Sequence, residues 1–192
     1  MSKRFILLAT AAALAFGAVA STPVFAQQMS DKTVMVGGAP MYPSKNIVQN
    51  AVNSKDHTTL VAAVKAAGLV DTLEGPGPFT VFAPTNAAFA KLPDGTVANL
   101  LKPENKGTLT TVLTYHVVPG RMTEVSLMKA VRDSGGEAHL KTVAGEDLVV
   151  KQAGPGKLTI TDAKGDVANV TIADVLQSNG VIHVIDSVLL PM

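Results

Sequence analysis

Gly77-Pro78-Phe79-Thr80-Val81-Phe82-Ala83-Pro84-Thr85-Asn86-Ala87-Ala88-Phe89 is the stretch that decides the fold of this chain. Phe79, Val81 and Ala83 alternate with Thr80 and Phe82, the period-2 signature of a short strand. Pro84 has no N–H to donate, so the ladder stops there. Thr85 or Asn86 can then cap a helix carrying Phe89, because either side-chain oxygen accepts an orphan N–H of a first turn. The segment therefore predicts a buried strand that runs directly into a capped helix.

Upstream, Ile47, Val48, Ala51 and Val52 recur at helical spacing. A second helix is expected after Asp56, which is placed to cap it, with Leu60, Val61 and Val64 on one face and Gly68 as a left-handed stop. Downstream, short helices are expected over 87–91, 96–101 and 106–115, and a further one from a Thr123 cap through Val131 to Gly135-Gly136. The last third changes character. Runs at 140–143, 148–151, 158–161, 167–173 and 181–185 are β-rich and separated by Gly145-Glu146-Asp147, Gly154-Pro155-Gly156 and Lys164-Gly165-Asp166 turns. Helices first and strands later, without regular alternation, imply an α+β domain. No internal repeat is present, so one domain is expected.

The N-terminus carries a targeting pattern. Lys3 and Arg4 precede an apolar run from Phe5 to Val19, and Val24-Phe25-Ala26 offers a cleavage site, so residues 1–26 are expected to be removed on export. The apolar run is short for a membrane span of roughly 20 residues. Residues 27–43, with Gly37-Gly38, Pro40 and Pro43, read as an arm, loose to about Lys32 and then docked through Val34, Val36 and Met41. The domain is expected over 44–192. Cleavage leaves 14 Lys and Arg against 15 Asp and Glu, which gives no basis for nucleic-acid binding. There is no cysteine to form a disulfide or carry a lipid, so a hydrophobic core must hold the domain, and no membrane anchor is expected. A secreted or periplasmic location follows.

Catalytic chemistry finds little footing. His57, His116, His139 and His183 share no ligand spacing and there is no cysteine to complete a zinc set. Met29, Met35, Met41 and Met122 are dispersed as packing residues are. No nucleophile elbow or phosphate-binding glycine loop occurs. Asp162 to Asp166 reads as a hairpin turn, since the rest of a calcium loop is missing. No metal, cofactor or catalytic residue is assigned.

Three segments, in order, resemble the signatures of the fasciclin domain family, the beta-Ig-H3-like adhesion modules. They are the 77–89 stretch, Tyr115-His116-Val117-Val118-Pro119-Gly120, and the closing run from Asn179 through His183 and Asp186 to Pro191. The resemblance runs from about Ser44 to the C-terminus. It implies a wedge of two small sheets decorated by short helices, with the Phe79 strand beside the C-terminal strands. It also implies a binding module for adhesion or surface interaction, with a surface protein or polysaccharide as partner. Two other readings remain: a carrier of an apolar carotenoid- or lipid-like molecule and, more weakly, a hydrolase. Tyr115 and the Asp174-Val175 pair match positions linked to integrin contact in animal members, which makes them candidate partner-binding residues. The isoleucine of that family pair is valine here. Asn86, His116 and Asp186, polar amid apolar neighbours, are expected to form an internal polar network.

Overall fold

The computed structural model of the chain describes residues 33–192. The targeting signal, its cut after Ala26 and the first residues of the arm lie outside the described residues. The described part of the arm forms an antiparallel hairpin, β1 (Val34–Val36) and β2 (Ala39–Met41), which turns at Gly37-Gly38. Val36 and Met41 are buried in the core. The described part of the arm thus contributes side chains to the core, as its docking through Val36 and Met41 requires.

Helices α1 (Ile47–Ala51), α2 (Thr58–Ala67) and α3 (Val70–Glu74) follow. A 3-10 turn over Lys55–His57 separates the first two. Asp56 sits inside that turn and does not cap α2, contrary to expectation. The Asn86 carboxamide reaches over the start of α2 instead, and its Oδ1 accepts the Thr59 N–H at 3.0 Å. Gly68 ends α2 in the left-handed region at φ 74°.

The decisive segment folds as read. Strand β3 (Phe79–Pro84) leads into α4 (Asn86–Ala90), capped by Thr85 through the Ala88 N–H. Then come α5 (Thr96–Leu100), α6 (Lys106–Tyr115), β4 (Val117–Pro119) and α7 (Glu124–Asp133), the last capped by Thr123. The chain closes with β5 (Glu137–Lys141), β6 (Asp147–Gly154), β7 (Lys157–Thr161), β8 (Val167–Gln177) and β9 (Gly180–Ile185).

Strand order is β4-β3-β9-β8-β7-β6-β5, antiparallel throughout except for the parallel pair β3–β9. The long β8 joins two halves: its start pairs with β7 and its end with β9, with register shifts between Val170 and Val175. A shift of this kind lets a strand bend, and it gives the wedge its edge.

Two apolar clusters hold the unit. Alternation along β3 sends Val81 and Ala83 toward the helical cluster, with Ile47, Leu60, Val64, Leu113 and Ile182. Phe82 points the other way, into a cluster with Tyr115, Leu127, Leu148, Ile160 and Ile185. Strand β3 is thus covered on both faces, which is why Phe79 to Pro84 is almost continuously apolar. No helix among the described residues is long and apolar enough to cross a membrane.

Candidate functional site

The helical cluster is not closed. Between α1, α2, α3, the face of β3 and the end of α6 lies an apolar cleft of about 70 Å³. Its walls include Val48, Leu60, Val64, Leu73, Phe79 and Leu113, and Lys65, Thr72, Thr114 and His116 line it almost wholly through apolar atoms. A single water needs about 10–15 Å³ by the same kind of measure, so the cleft is larger than an ordinary packing defect. A second, smaller apolar space of about 30 Å³ lies beside Val36, Met41, His57, Ala83, Val175 and Ile182. The two spaces share Ile47, Ala51, Leu60 and Val81 as walls.

His116 is buried at the inner edge of the cleft with both nitrogens engaged. Its Nδ1–H donates to the Val112 carbonyl at 2.8 Å, and Nε2 accepts the Leu189 N–H at 3.0 Å. This fixes a neutral tautomer. Burial lowers its pKa to about 4, against smaller opposing effects of the Val112 carbonyl and Asp162. His183 is bonded in the same way: Nε2–H donates to the Met122 carbonyl at 2.8 Å and Nδ1 accepts the Asp174 N–H at 3.4 Å. Burial lowers its pKa too. Its ring stacks on Phe82.

His57 differs. Its Nδ1 meets the Ser54 hydroxyl at 2.9 Å, both residues being buried, but no protein group hydrogen-bonds to Nε2 among the described residues. Burial lowers its pKa, and the Ala83 backbone and Asp56 oppose that only in part.

Tyr115 is wholly buried, which corrects its expected place on a contact surface. Its hydroxyl donates to the Asp147 carbonyl at 3.1 Å and accepts the Ala163 N–H at 2.9 Å, so it pins the end of α6 to two hairpins of the wedge. Burial raises its pKa. Val175 is also buried and lines the smaller space. Asp174 alone of the three is half-exposed. It holds φ 55°, and its Oδ1 accepts the Glu124 N–H at 2.6 Å, placing a carboxylate at the positive end of α7.

Asn86, His116 and Asp186 do not form one network. Asn86 serves the start of α2, with Nδ2 donating to the Lys55 carbonyl at 2.9 Å. Asp186 accepts the Asn169 backbone and side-chain N–H groups at 2.8 and 3.0 Å, and Lys91 lies 3.5 Å away. Partial burial works to raise its pKa, but these donors and Lys91 hold it below the usual value. The three are separate anchors because each faces a different seam.

The sequence reading missed the most extensive polar knot. The Asn179 carboxamide donates to the Leu73 and Gly75 carbonyls at 2.7 and 3.1 Å and accepts the Ile47 N–H at 3.1 Å. Buried Asn50 brackets Tyr42 through its backbone N–H and carbonyl and also bonds Gln177. Asn50, polar among apolar residues of α1, was the available signal, while Asn179 lies in the turn between β8 and β9. No group of three His, Cys, Asp or Glu among the described residues could hold a metal ion.

The comparisons agree with the fold. The sequence profile of the Fasciclin domain matches residues 55–191. The chain is 48% identical to Protein sll1483 of Synechocystis over 85% of its own length and 83% of that protein's. It is 39% identical over 69% of its length to transforming growth factor-beta-induced protein ig-h3 of Sus scrofa, of which it covers 17%. Among solved structures it is similar to a FAS1 domain pair from the insect cell adhesion molecule Fasciclin I. The TM-score is 0.69 and the identity 22%, with 78% of this chain covered and about half (52%) of the longer one. This chain belongs to the fasciclin domain family.

Proposed function

We propose that the chain is an exported binding module that acts in adhesion or surface interaction, without turnover. The observation that carries this reading is the match of a Fasciclin domain to 55–191, together with the likeness to a cell adhesion molecule. The contact surface is centred on Asp174. Val175 is buried, whereas Asp174 is half-exposed and Leu176 is exposed. Val125, 71% exposed, follows Glu124, whose N–H the Asp174 carboxylate holds. An apolar pair beside a carboxylate suits a protein or polysaccharide partner, in which a few residues dominate affinity. The test is a series at Asp174, Leu176 and Val125, assayed for attachment to the producing cell's surface. Graded losses support the reading; full attachment by the triple variant overturns it.

A second reading, a carrier of an apolar small molecule, is favoured by the cleft between the helices and β3. Native purification followed by mass spectrometry of extracted small molecules tests it.

A further inference from the structure

The larger cleft, between α1, α2, α3, β3 and α6, is lined by apolar atoms almost throughout, so a polar group of an occupant finds no partner inside it. Any polar end has to stay at the mouth, in water. Lys65 is the one charged residue of the lining. Its stem forms part of the wall while the residue as a whole is exposed, which is how a lysine covers apolar surface and keeps its ammonium hydrated. Lys65 therefore stands at the mouth. Three residues on, the Lys106 ammonium lies over Gly68: a Cβ built there would be 3.3 Å from Lys106 Nζ. The end of α2 thus carries two ammonium groups, and neither is part of an ion pair among the described residues. No carboxylate lines the cleft. Asp71 and Glu74 of α3 are exposed and stand outside the lining, while Thr72 and Leu73 between them belong to it.

Building on the carrier reading, we propose that the cleft takes the tail of a free medium-chain aliphatic carboxylate, whose head stays at the mouth beside Lys65. Three observations select this chemistry. The apolar walls favour a hydrocarbon tail. The volume sets its length: about 70 Å³ holds roughly five to seven water-sized groups, a methylene is close to water in size, and a chain of about six to eight carbons results. The unpaired lysines set the charge of the head, because an anion there is attracted and a cation repelled. Exposed ion pairs contribute little, so burial of the tail supplies the affinity and the lysines supply the preference among amphiphiles. His116 serves only as wall, since both of its nitrogens are already bonded.

The experiment titrates butanoate, hexanoate, octanoate and decanoate, and separately 1-octanol and octylammonium, into methyl-labelled protein at neutral pH and low salt. Shifts of the Leu60, Val64 and Leu73 methyl groups place the tail in the cleft and report affinity. Affinity should rise about fourfold per methylene up to octanoate and then level off. Octanoate should bind about threefold or more tighter than octylammonium, and salt at about 0.5 M should narrow the gap. Lys65→Glu combined with Lys106→Glu, both at exposed positions, should reverse that order and leave the affinity for octanol unchanged. Equal binding of the two charged heads, or an order unmoved in the double variant, would overturn the carboxylate while octanol binding kept the carrier reading standing. Affinity still climbing from octanoate to decanoate would overturn the chain length. Cleft methyl groups unmoved by every one of these probes would overturn both the proposal and the carrier reading.

Discussion

The His116 imidazole joins two parts of the chain 73 residues apart: its Nε2 accepts the Leu189 backbone N–H at 3.0 Å. The end of α6 and the C-terminal segment are fastened to each other by one neutral ring. His116→Phe leaves a buried N–H without an acceptor, and the expected cost is about 1–3 kcal/mol in denaturant unfolding. A stability change below 0.5 kcal/mol or so would show the bond to be dispensable.

The same ring makes stability depend on acid. An unfolded chain protonates an imidazole near 6.5, whereas folded His116 resists until about 4. The unfolded state therefore binds more protons between these values. The contribution is complete above about pH 6.5 and falls away as pH drops through the window to about 4. The slope reaches at most about 1.4 kcal/mol per pH unit for this one group. His57 and His183, also lowered chiefly by burial, add in the same direction. Unfolding free energies measured from pH 7 to pH 4 should decline, and less steeply in His116→Phe. A flat profile in the wild-type chain would contradict this.

Asn86 offers a cleaner test of tertiary capping. Its carboxamide satisfies the Thr59 N–H and the Lys55 carbonyl, groups that precede it by 27 and 31 residues. Asn86→Ala should cost about 1 kcal/mol, as loss of a helix cap does. Asp56→Ala should cost little, because that side chain caps nothing. The reverse order in thermal or chemical unfolding would restore Asp56 as the cap.

These residues show which parts of the structure could be read in advance. Local signals were sufficient for β3 and α4, since Pro84 and the Thr85 cap act within a few residues of themselves. The same holds for α7, capped by Thr123, and for the alternating strands β5 to β7, whose core-facing positions are Ala138, Leu140, Leu148, Val150, Leu158 and Ile160. Pairings decided by the whole fold were harder. Asn86 and Asp56 are both plausible caps for α2 by chemistry, and only the return of the chain after β3 selects the first. Tyr115 was a contact candidate through the family resemblance, and its burial was not legible because its hydroxyl partners, at Asp147 and Ala163, come from hairpins much later in the chain. The cleft was permitted by aliphatic richness but could not be located, because its walls come from six separate elements.

Tyr115→Phe separates structure from recognition. The Ala163 N–H would lose its acceptor, so a cost of about 1–3 kcal/mol is expected, with attachment per folded molecule unchanged. Loss of attachment at unchanged stability would return Tyr115 to the contact surface.

The strongest geometric constraint lies where β3 and β9 run parallel. Gly180 pairs with Phe79, and a Cβ built on Gly180 collides with the Phe79 carbonyl, while one built on Gly77 collides with the Asn179 carbonyl. Both obstacles are backbone, so no side-chain rotation relieves them. Nor can the strands simply part. Phe79 N–H donates to the Asn179 carbonyl at 3.0 Å, and the Asn179 carboxamide meanwhile holds Ile47, Leu73 and Gly75. A shift at Gly180 would strain both sets of bonds and move α1, which forms a wall of the cleft. Gly180→Ala is therefore expected to cost roughly 3 kcal/mol or more, at the upper end of single substitutions. Gly107→Ala, in a helix with open space around the position, should be neutral or stabilising by up to about 1 kcal/mol. Chemical unfolding of the two variants side by side decides the matter. Equal stability would mean that the parallel strands are not packed backbone to backbone at this point.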